Sequence, residues 1–357
     1  MKLVYAVDQK SYNSSDHIGV RKKVQSQMQQ FERAGVTTTL CEYEWKDGFP
    51  QIEVDTDTDL LYFRRIEASL KMILKLRELK KKSPKLRIMM EIPVYPFVER
   101  AEDKSLKKRV NRFIGIHGMK HCIDRIVLIG KGPAKVYGIP TIIASNGVDY
   151  QNVKIRQKDA AYAKKYPGIH MICVSGCTRV HGYDRLIEGM HEYYEQNPKA
   201  ENVYLHVVGQ GRCLPEYKEL AEKYGMMEKN IFFYGTQLGE ELDKIYERCD
   251  IGIVTLSMYL SKMISSTAIK ASEYAAKGIP LVTDIELDIS NGGTEKYIVT
   301  VPSQAGPVNV KTIVDRYHQI YDGKSVEQVS EEIREIFRPY CDWTYAFKPV
   351  IDYMKKL

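Results

Sequence analysis

The chain alternates from end to end between short apolar runs and longer amphipathic stretches. The runs at residues 2–7, 60–64, 86–92, 123–129 and 141–144 predict strands, as do those at 169–174, 203–208, 231–234 and 251–255. Helical spacing falls between them, at 20–35, 183–194, 215–224 and 240–249. Leu186, Ile187, Met190 and Tyr194 share one face of the second helix, and Pro215 opens the third in its first turn. Leu242, Ile245, Tyr246 and Cys249 stand at core spacing in the fourth. Residues 11–20 read as a loop. A further segment, with Leu70, Ile73, Leu74, Leu76 and Leu79 among many lysines, reads as a basic amphipathic helix. This order predicts an α/β fold with parallel sheets wrapped by helices, in two doubly wound domains. Residues 149–166 are polar and poor in strand signal, so they serve as the linker. The tail from about residue 326 is helical and aromatic, with Phe337, Tyr340, Trp343, Tyr345 and Phe347. Two doubly wound domains imply a cleft, because ligands in such sheets bind outside the carboxyl ends of the strands. Two half-sites suit group transfer between two bound molecules.

Composition narrows the function classes. With 357 residues, 44% hydrophobic and 28% charged, the chain has room for two full cores. No apolar run reaches the length of a membrane span, and the first residues read as a strand rather than a signal peptide, so a cytoplasmic protein is expected. The seven cysteines are scattered without CxxC pairs, and Cys173 and Cys177 have no nearby His pair to complete a zinc site. All seven are expected to be reduced and structural. The net charge of +7 is uneven. Lys71, Lys75, Arg77, Lys80, Lys81, Lys82, Lys85 and Arg87 crowd one segment, and Lys104, Lys107, Lys108, Arg109 and Arg112 another. A solvated helix face and a surface resting on anionic lipid both account for this. Nucleic acid ranks below them, since the aromatics are dispersed and no nucleic-acid motif is present.

The chemistry concentrates in residues 265–284. The pattern reads as a short helix that ends at Gly278 and feeds a buried strand at 281–284. Its residues are mostly small: Ala268, Ala271, Ser272, Ala275 and Ala276. Such a helix approaches a sheet edge closely, and the free N–H groups and positive dipole end at its start favour a phosphate. Lys270 and Glu273, three apart, share a face. A carboxylate there suits the two hydroxyls of a ribose. A core helix with one exposed glutamate is the competing reading.

Several ordered motifs then resemble the nucleotide-sugar transferases of glycosyltransferase family 4. Residues 181–188 read HGYDRLIE, similar to that family's KGxDxLIEA. VVGQG at 207–211 is similar to IVGxGP, IFFYG at 231–235 to VxFxG, and EYAAKGIP at 273–280 to EAMAxGxPV. YGIP at 137–140 and NGVD at 146–149 match the family's link between domains, and EIPVYP at 91–96 resembles its E-x-P strand end. The similarity runs from about residue 86 to about 285. It implies the GT-B fold, with Rossmann-like domains at 1–150 (acceptor) and 151–335 (nucleotide sugar), and residues 336–357 crossing back to the first. It also implies a retaining, hexosyltransferase-type enzyme that needs no metal or other cofactor. Its substrates would be a nucleotide diphosphate sugar and a glycan or lipid-linked acceptor, in the synthesis of a capsule, exopolysaccharide or other surface glycoconjugate. The basic N-terminal domain would rest on the inner face of an anionic membrane.

The resemblance also assigns residues. Glu273 takes the place of the glutamate that holds the ribose. The family's glutamate that contacts the donor sugar falls on Ser265, with Ser266 and Thr267 beside it. The family's two basic clamps of the diphosphate fall on Gly176 and His181. A branch of the family carries HGYDR, paired with LKxxEY, and the residues at 269–274, IKASEY, are similar to it. Lys262 and Lys270 are candidates to supply the missing charge, with Arg179 a weaker one. His181 binds phosphate or sugar, or caps a helix. Lys270 serves the phosphate or pairs with Glu273, and Lys262 serves it or is a plain loop lysine. Gly19 and Arg21, in the first loop, approach the diphosphate or are ordinary loop residues. Glu91 faces the acceptor or caps a strand end. Gly209, with Gly211, shapes the turn beside the nucleotide sugar. Two alternatives to transfer stay open: a catalytically degenerate nucleotide-sugar-binding partner subunit, and a GT-B nucleotide-sugar epimerase.

Overall fold

The computed structural model describes residues 1–13, 18–65, 69–93, 95, 106–261, 263 and 265–357, and the account that follows concerns these. They divide into two compact units, Met1–Gly147 with Trp343–Leu357, and Val148–Asp342.

The first unit holds a seven-stranded sheet. Its strands are β1 (Lys2–Asp8), β2 (Thr37–Tyr43), β3 (Leu60–Arg64), β4 (Arg87–Ile92), β5 (Arg125–Ile129), β6 (Lys135–Val136) and β7 (Ile139–Ala144), in the spatial order β2-β1-β3-β4-β5-β7-β6. All pairs are parallel except β6 with β7. Helices α1 (Gln9–Asn13), α2 (Ile18–Arg33), α3 (Leu70–Lys82) and α4 (Leu106–Met119) connect them. α3 starts where the Ser69 hydroxyl accepts the Met72 N–H, and it buries Met72, Ile73, Leu76 and Leu79. Its three terminal lysines lie at the negative end of the helix dipole. The other sheet face packs under Val24 and Phe31 of α2 and under the last two helices, α12 (Trp343–Ala346) and α13 (Lys348–Met354). There Phe347 lies 5.4 Å from Phe31 and 5.8 Å from Trp343, ring centre to ring centre.

Two expectations change in this unit. Residues 9–13 form a helix rather than part of a loop, because Asp8 at the strand end accepts the Ser11 N–H at 3.1 Å and starts a turn at once. β2 carries no apolar run, since it is a half-exposed edge strand held by its pairing with β1.

The second unit holds a six-stranded parallel sheet of β8 (Ile169–Val174), β9 (Val203–Val208), β10 (Ile231–Gly235), β11 (Ile251–Thr255), β12 (Leu281–Thr283) and β13 (Ile298–Thr300), in the order β10-β9-β8-β11-β12-β13. Its helices are α5 (Ala160–Lys165), α6 (Tyr183–Gln196), α7 (Leu214–Lys223), α8 (Gly239–Tyr246), α9 (Ile269–Lys277), α10 (Val310–Tyr321) and α11 (Val326–Cys341). Leu186, Ile187 and Met190 of α6 are fully buried, each contributing about 1.5–3 kcal/mol relative to exposure. α9 ends at Gly278 with φ +74°, where a Cβ would lie 2.4 Å from the Ser330 carbonyl of α11. That contact fixes the end of the helix whose start carries the chemistry. The seven cysteines are free, six of them buried. No helix among the described residues is long and apolar enough to cross a membrane.

Candidate functional site

Within the second unit the turns at the carboxyl ends of β8, β9 and β11 meet backbone to backbone. Gly209 has φ +133°, and a Cβ there would sit 1.9 Å from the Ser175 carbonyl oxygen. A Cβ at Gly211 would sit 2.4 Å from the Cys177 carbonyl, and Cys177 donates its N–H to Gln210 at 2.8 Å. Gly182, at φ +65°, lies against the Ser257 hydroxyl and Leu256. Glycine is needed at these positions because the chains approach too closely for any side chain.

α9 begins beside these turns. Its N-cap, Ala268, makes no side-chain cap hydrogen bond, and the Ala271 N–H turns back to the Ala268 carbonyl at 2.9 Å. Just before it, Ser265 and Ser266 are buried in a short parallel ladder with Glu286–Leu287, and Thr267 is half-buried. The position aligned with a donor-sugar glutamate is therefore a buried hydroxyl held by backbone pairing.

Lys270 lies in the first turn of α9. The residue is partly exposed, but its Nζ is shielded and has no hydrogen-bond partner among the described residues. The Tyr183 ring centre is 5.9 Å away. Burial lowers its pKa to about 8, with the Cys173 and Cys177 thiols opposing. The positive end of the helix dipole adds to the cost of a cation there.

His181 stands in the adjoining turn. Its Nδ1 accepts from the Thr178 N–H at 3.2 Å and the Thr178 hydroxyl at 3.1 Å, which leaves the proton on Nε2. Burial and then the charge on Lys270 pull its pKa down to about 2, against the Gly176 carbonyl. His181 is therefore neutral: it ties down the Thr178 turn and brings no positive charge. Gly176 brings none either, and a Cβ there would meet only the Gln210 carbonyl, at 3.7 Å. Lys262 lies outside the described residues. Arg179 is exposed and reaches Glu216 at 3.4 Å.

Glu273 sits one turn beyond Lys270 and is half-buried. Its charge reaches the Tyr246 and Tyr274 phenols, whose pKa values are raised first by burial and then by neighbours that include Glu273. Next on this face, Lys277 pairs with Asp243 at 2.6 Å. The residues that sequence reasoning missed surround Lys270. Tyr183 is fully buried and shares a 2.6 Å hydrogen bond with Ser175 Oγ, and the buried Cys173 and Cys177 thiols lie near enough to act on the Lys270 charge. Only tertiary packing brings them there. A separate cavity of about 610 Å³ is lined by Lys154, Arg156, Asp243, Lys244, Tyr246 and Lys277, among others. None of the predicted site residues lines it.

Three predicted residues belong to the first unit. Gly19 is exposed in the first turn of α2 rather than in a loop, with nothing within 4 Å of where a Cβ would stand. Arg21 is exposed, donates to Asn13 Oδ1 at 3.0 Å and lies over the Tyr12 ring. Glu91 is a correction. It is fully buried, paired with Lys23 at 2.8 Å and Arg64 at 3.4 Å, and it accepts from Gln27 at 2.7 Å and Tyr62 at 2.8 Å. Burial alone would raise its pKa, but Lys23 and Arg64 prevail and hold it below the usual carboxylate range. Its side chain turns inward from a central strand toward α2, so it ties helix to sheet and offers no acceptor a free carboxylate.

Comparison with known proteins bears on the fold. Residues 154–286 match the family model for glycosyl transferases group 1. No curated protein matches the chain. Among solved structures it is similar to Anabaena HepE in complex with UDP, at 12% identity and a TM-score of 0.65, with both chains covered in full. A glycosyltransferase from Rickettsia africae shares 14% identity and a TM-score of 0.61, over 99% of this chain and 98% of that one. The sucrose-phosphate synthase of Thermosynechococcus elongatus shares 12% identity and a TM-score of 0.61, over 100% and 99%. At such identities the likeness speaks for the fold. The chain therefore has the GT-B fold, with residues 154–286 matching the family model for glycosyl transferases group 1.

Proposed function

We propose that the protein is a retaining, metal-independent glycosyltransferase of the family 4 branch with HGYDR. It would move a hexose from a nucleotide diphosphate to a glycan or lipid-linked acceptor in surface polysaccharide or glycoconjugate synthesis, on the cytoplasmic side of an anionic membrane. One observation carries the reading: among the described residues Lys270 is a shielded ammonium without a hydrogen-bond partner, at the positive end of a helix whose N-cap residue makes no side-chain hydrogen bond. Burial, helix dipole and the unmet hydrogen bonds all disfavour it, and a bound diphosphate removes all three costs at once. The same charges act on the reaction. Negative charge grows on the departing diphosphate in the transition state, so Lys270 and the α9 N–H groups hold it more tightly there than in the ground state. Glu273 takes the ribose hydroxyls, and Ser265, Ser266 and Thr267 flank the donor. Lys262 is the candidate second cation. HepE was crystallised with UDP, which makes UDP-sugars the first donors to try.

Calorimetric titration of the purified protein with UDP-, GDP- and ADP-linked sugars tests this. One donor should bind, and Glu273→Gln should weaken it about 10- to 100-fold, as expected for loss of a charged hydrogen-bond acceptor. No binding by any donor would remove the proposal. The neutral His181, with Gly176 and Ser265 at positions that carry charge elsewhere in the family, favours a second reading: a partner subunit that binds a nucleotide sugar without turning it over. Transfer by the purified protein alone excludes it.

A further inference from the structure

Folding leaves one carboxylate at the carboxyl end of the second sheet without a counter-ion. Asp284 follows β12 directly and is 6% exposed. Its N–H donates to the Thr255 carbonyl of β11 at 3.0 Å, so it stands where the two strands end together. One side-chain oxygen, Oδ2, accepts the Met258 N–H and the Ser303 hydroxyl, each at 2.7 Å. Ser303 Oγ in turn accepts the Tyr259 N–H at 3.0 Å. The other oxygen, Oδ1, is shielded and has no hydrogen-bond partner, and among the described residues no cation pairs with the carboxylate. Arg185, a buried arginine of the same region, donates instead to the carbonyls of Gly306 at 2.5 Å, Pro302 at 3.3 Å and Leu256. A bare buried carboxylate oxygen forfeits the hydrogen bonds that water gave it in the unfolded chain. The partner it lacks is a donor, from a water or from a ligand.

The setting points to the ligand. The turn that Oδ2 holds is bonded to the His181 segment: Leu256 donates its N–H to the His181 carbonyl at 3.1 Å, and Ser257 to Val180 at 3.3 Å. Glu286, next but one after Asp284, pairs with Ser265 in the ladder that leads into α9. Backbone therefore ties Asp284 to both segments that flank the candidate donor site. A cation would meet the Met258 N–H and the Ser303 hydroxyl, both donors, beside the carboxylate, and an anion would be repelled by it. A neutral hydroxyl supplies the proton that Oδ1 lacks and brings no charge into the buried site. We propose that Asp284 Oδ1 accepts a hydrogen bond from one hydroxyl of the donor's sugar ring, which makes Asp284 a residue that selects the sugar rather than the nucleotide. A sugar without that hydroxyl leaves Oδ1 bare again, and buried polar groups discriminate strongly in this way. The inference rests on the transferase reading of this site and adds which end of the donor the carboxylate reads.

Titration calorimetry of the full-length protein tests it. The ligands are the UDP-, GDP- or ADP-linked sugar that binds, the matching nucleoside diphosphate, and the monodeoxy forms of that sugar nucleotide. Asp284→Asn keeps an oxygen for the Met258 N–H and the Ser303 hydroxyl. It should weaken the sugar nucleotide about tenfold and leave the bare nucleoside diphosphate unchanged. One monodeoxy form should bind the native protein about tenfold more weakly than the intact donor, and should lose nothing further in the variant. Asp284→Glu, which keeps the charge but displaces the oxygen, should repeat both results, and it replaces the asparagine variant if that one does not fold. Equal weakening of the sugar nucleotide and the bare nucleoside diphosphate would make Asp284 a tie for the Met258 turn and overturn the proposal. So would undiminished binding of the sugar nucleotide, or a further loss in the variant for every monodeoxy form. If no sugar nucleotide binds the native protein, the transferase reading and this inference fall together. If one binds and the variants treat it like the bare nucleoside diphosphate, the inference alone falls.

Discussion

Replacing Lys270 with methionine keeps the length of the stem and removes the charge. Folding holds the lysine near a pKa of 8, against 10.5 for an unperturbed one. That difference costs the folded protein about 3 kcal/mol at neutral pH. The unliganded variant should therefore be more stable than the native protein, by up to about 3 kcal/mol. The pH dependence has a defined sign. The folded-state pKa is depressed, so the cost is fully present below pH 8 and fades as pH rises from about 8 toward 10.5. The stability gap between variant and native protein should close across that window. The Cys173 and Cys177 thiols and the His181 ring feel the Lys270 charge, so the difference reads Lys270 together with its coupled neighbours. The variant should also bind the nucleotide sugar about 10- to 100-fold more weakly, as charged hydrogen bonds are lost. Urea melts at about pH 7 and about pH 9.5, either side of the start of that window, with titration calorimetry at neutral pH, read both quantities. A variant less stable than native at neutral pH, or one that binds the donor as well as native, would refute the reasoning.

Three further outcomes follow from the same structure. Gly176→Arg has room, with only the Gln210 carbonyl at 3.7 Å, and restores a cation where the resembling family keeps one; calorimetry should show tighter donor binding, by about 1 kcal/mol or more. Gly209→Ala places a Cβ 1.9 Å from the Ser175 carbonyl at φ +133°, and denaturant melts should show a loss of at least about 2–3 kcal/mol. Buried His170 and His206 are joined at 3.0 Å, and His206 meets the Tyr234 hydroxyl at 2.8 Å. Burial lowers both pKa values, so stability should fall as pH drops below about 6.5, and His206→Gln should flatten that fall in melts between about pH 7 and about pH 5.

The fold was legible because its strands are continuous apolar runs and its turns need glycine. β8, β9 and β11 announce themselves, and Gly182, Gly209 and Gly278 mark the points of closest approach. The edge strand β2 and the polar α1 escaped because tertiary pairing and a single Asp8 hydrogen bond define them, not periodicity. The small residues of α9 pointed to a candidate phosphate site, but not to a Lys270 ammonium left without a hydrogen bond among the described residues. That setting depends on Tyr183, Cys173 and Cys177, which come from other elements far away in sequence. Glu91 misled for the mirror reason. A glutamate at a strand end reads alike whether it faces inward or out, and Lys23 and Gln27 on α2 decide the matter. His181 kept its place in the motif, and burial with the neighbouring lysine keeps its ring neutral.

The most direct measurement counts protons on binding. At pH 8 about half of the Lys270 side chains are neutral in the free protein, and a nucleotide sugar has no phosphate that titrates there. Calorimetry of the bound donor in two buffers of different ionisation enthalpy should show uptake of about half a proton per site, and none in Lys270→Met. Donor binding with no proton taken up would contradict the claim that Lys270 holds the diphosphate.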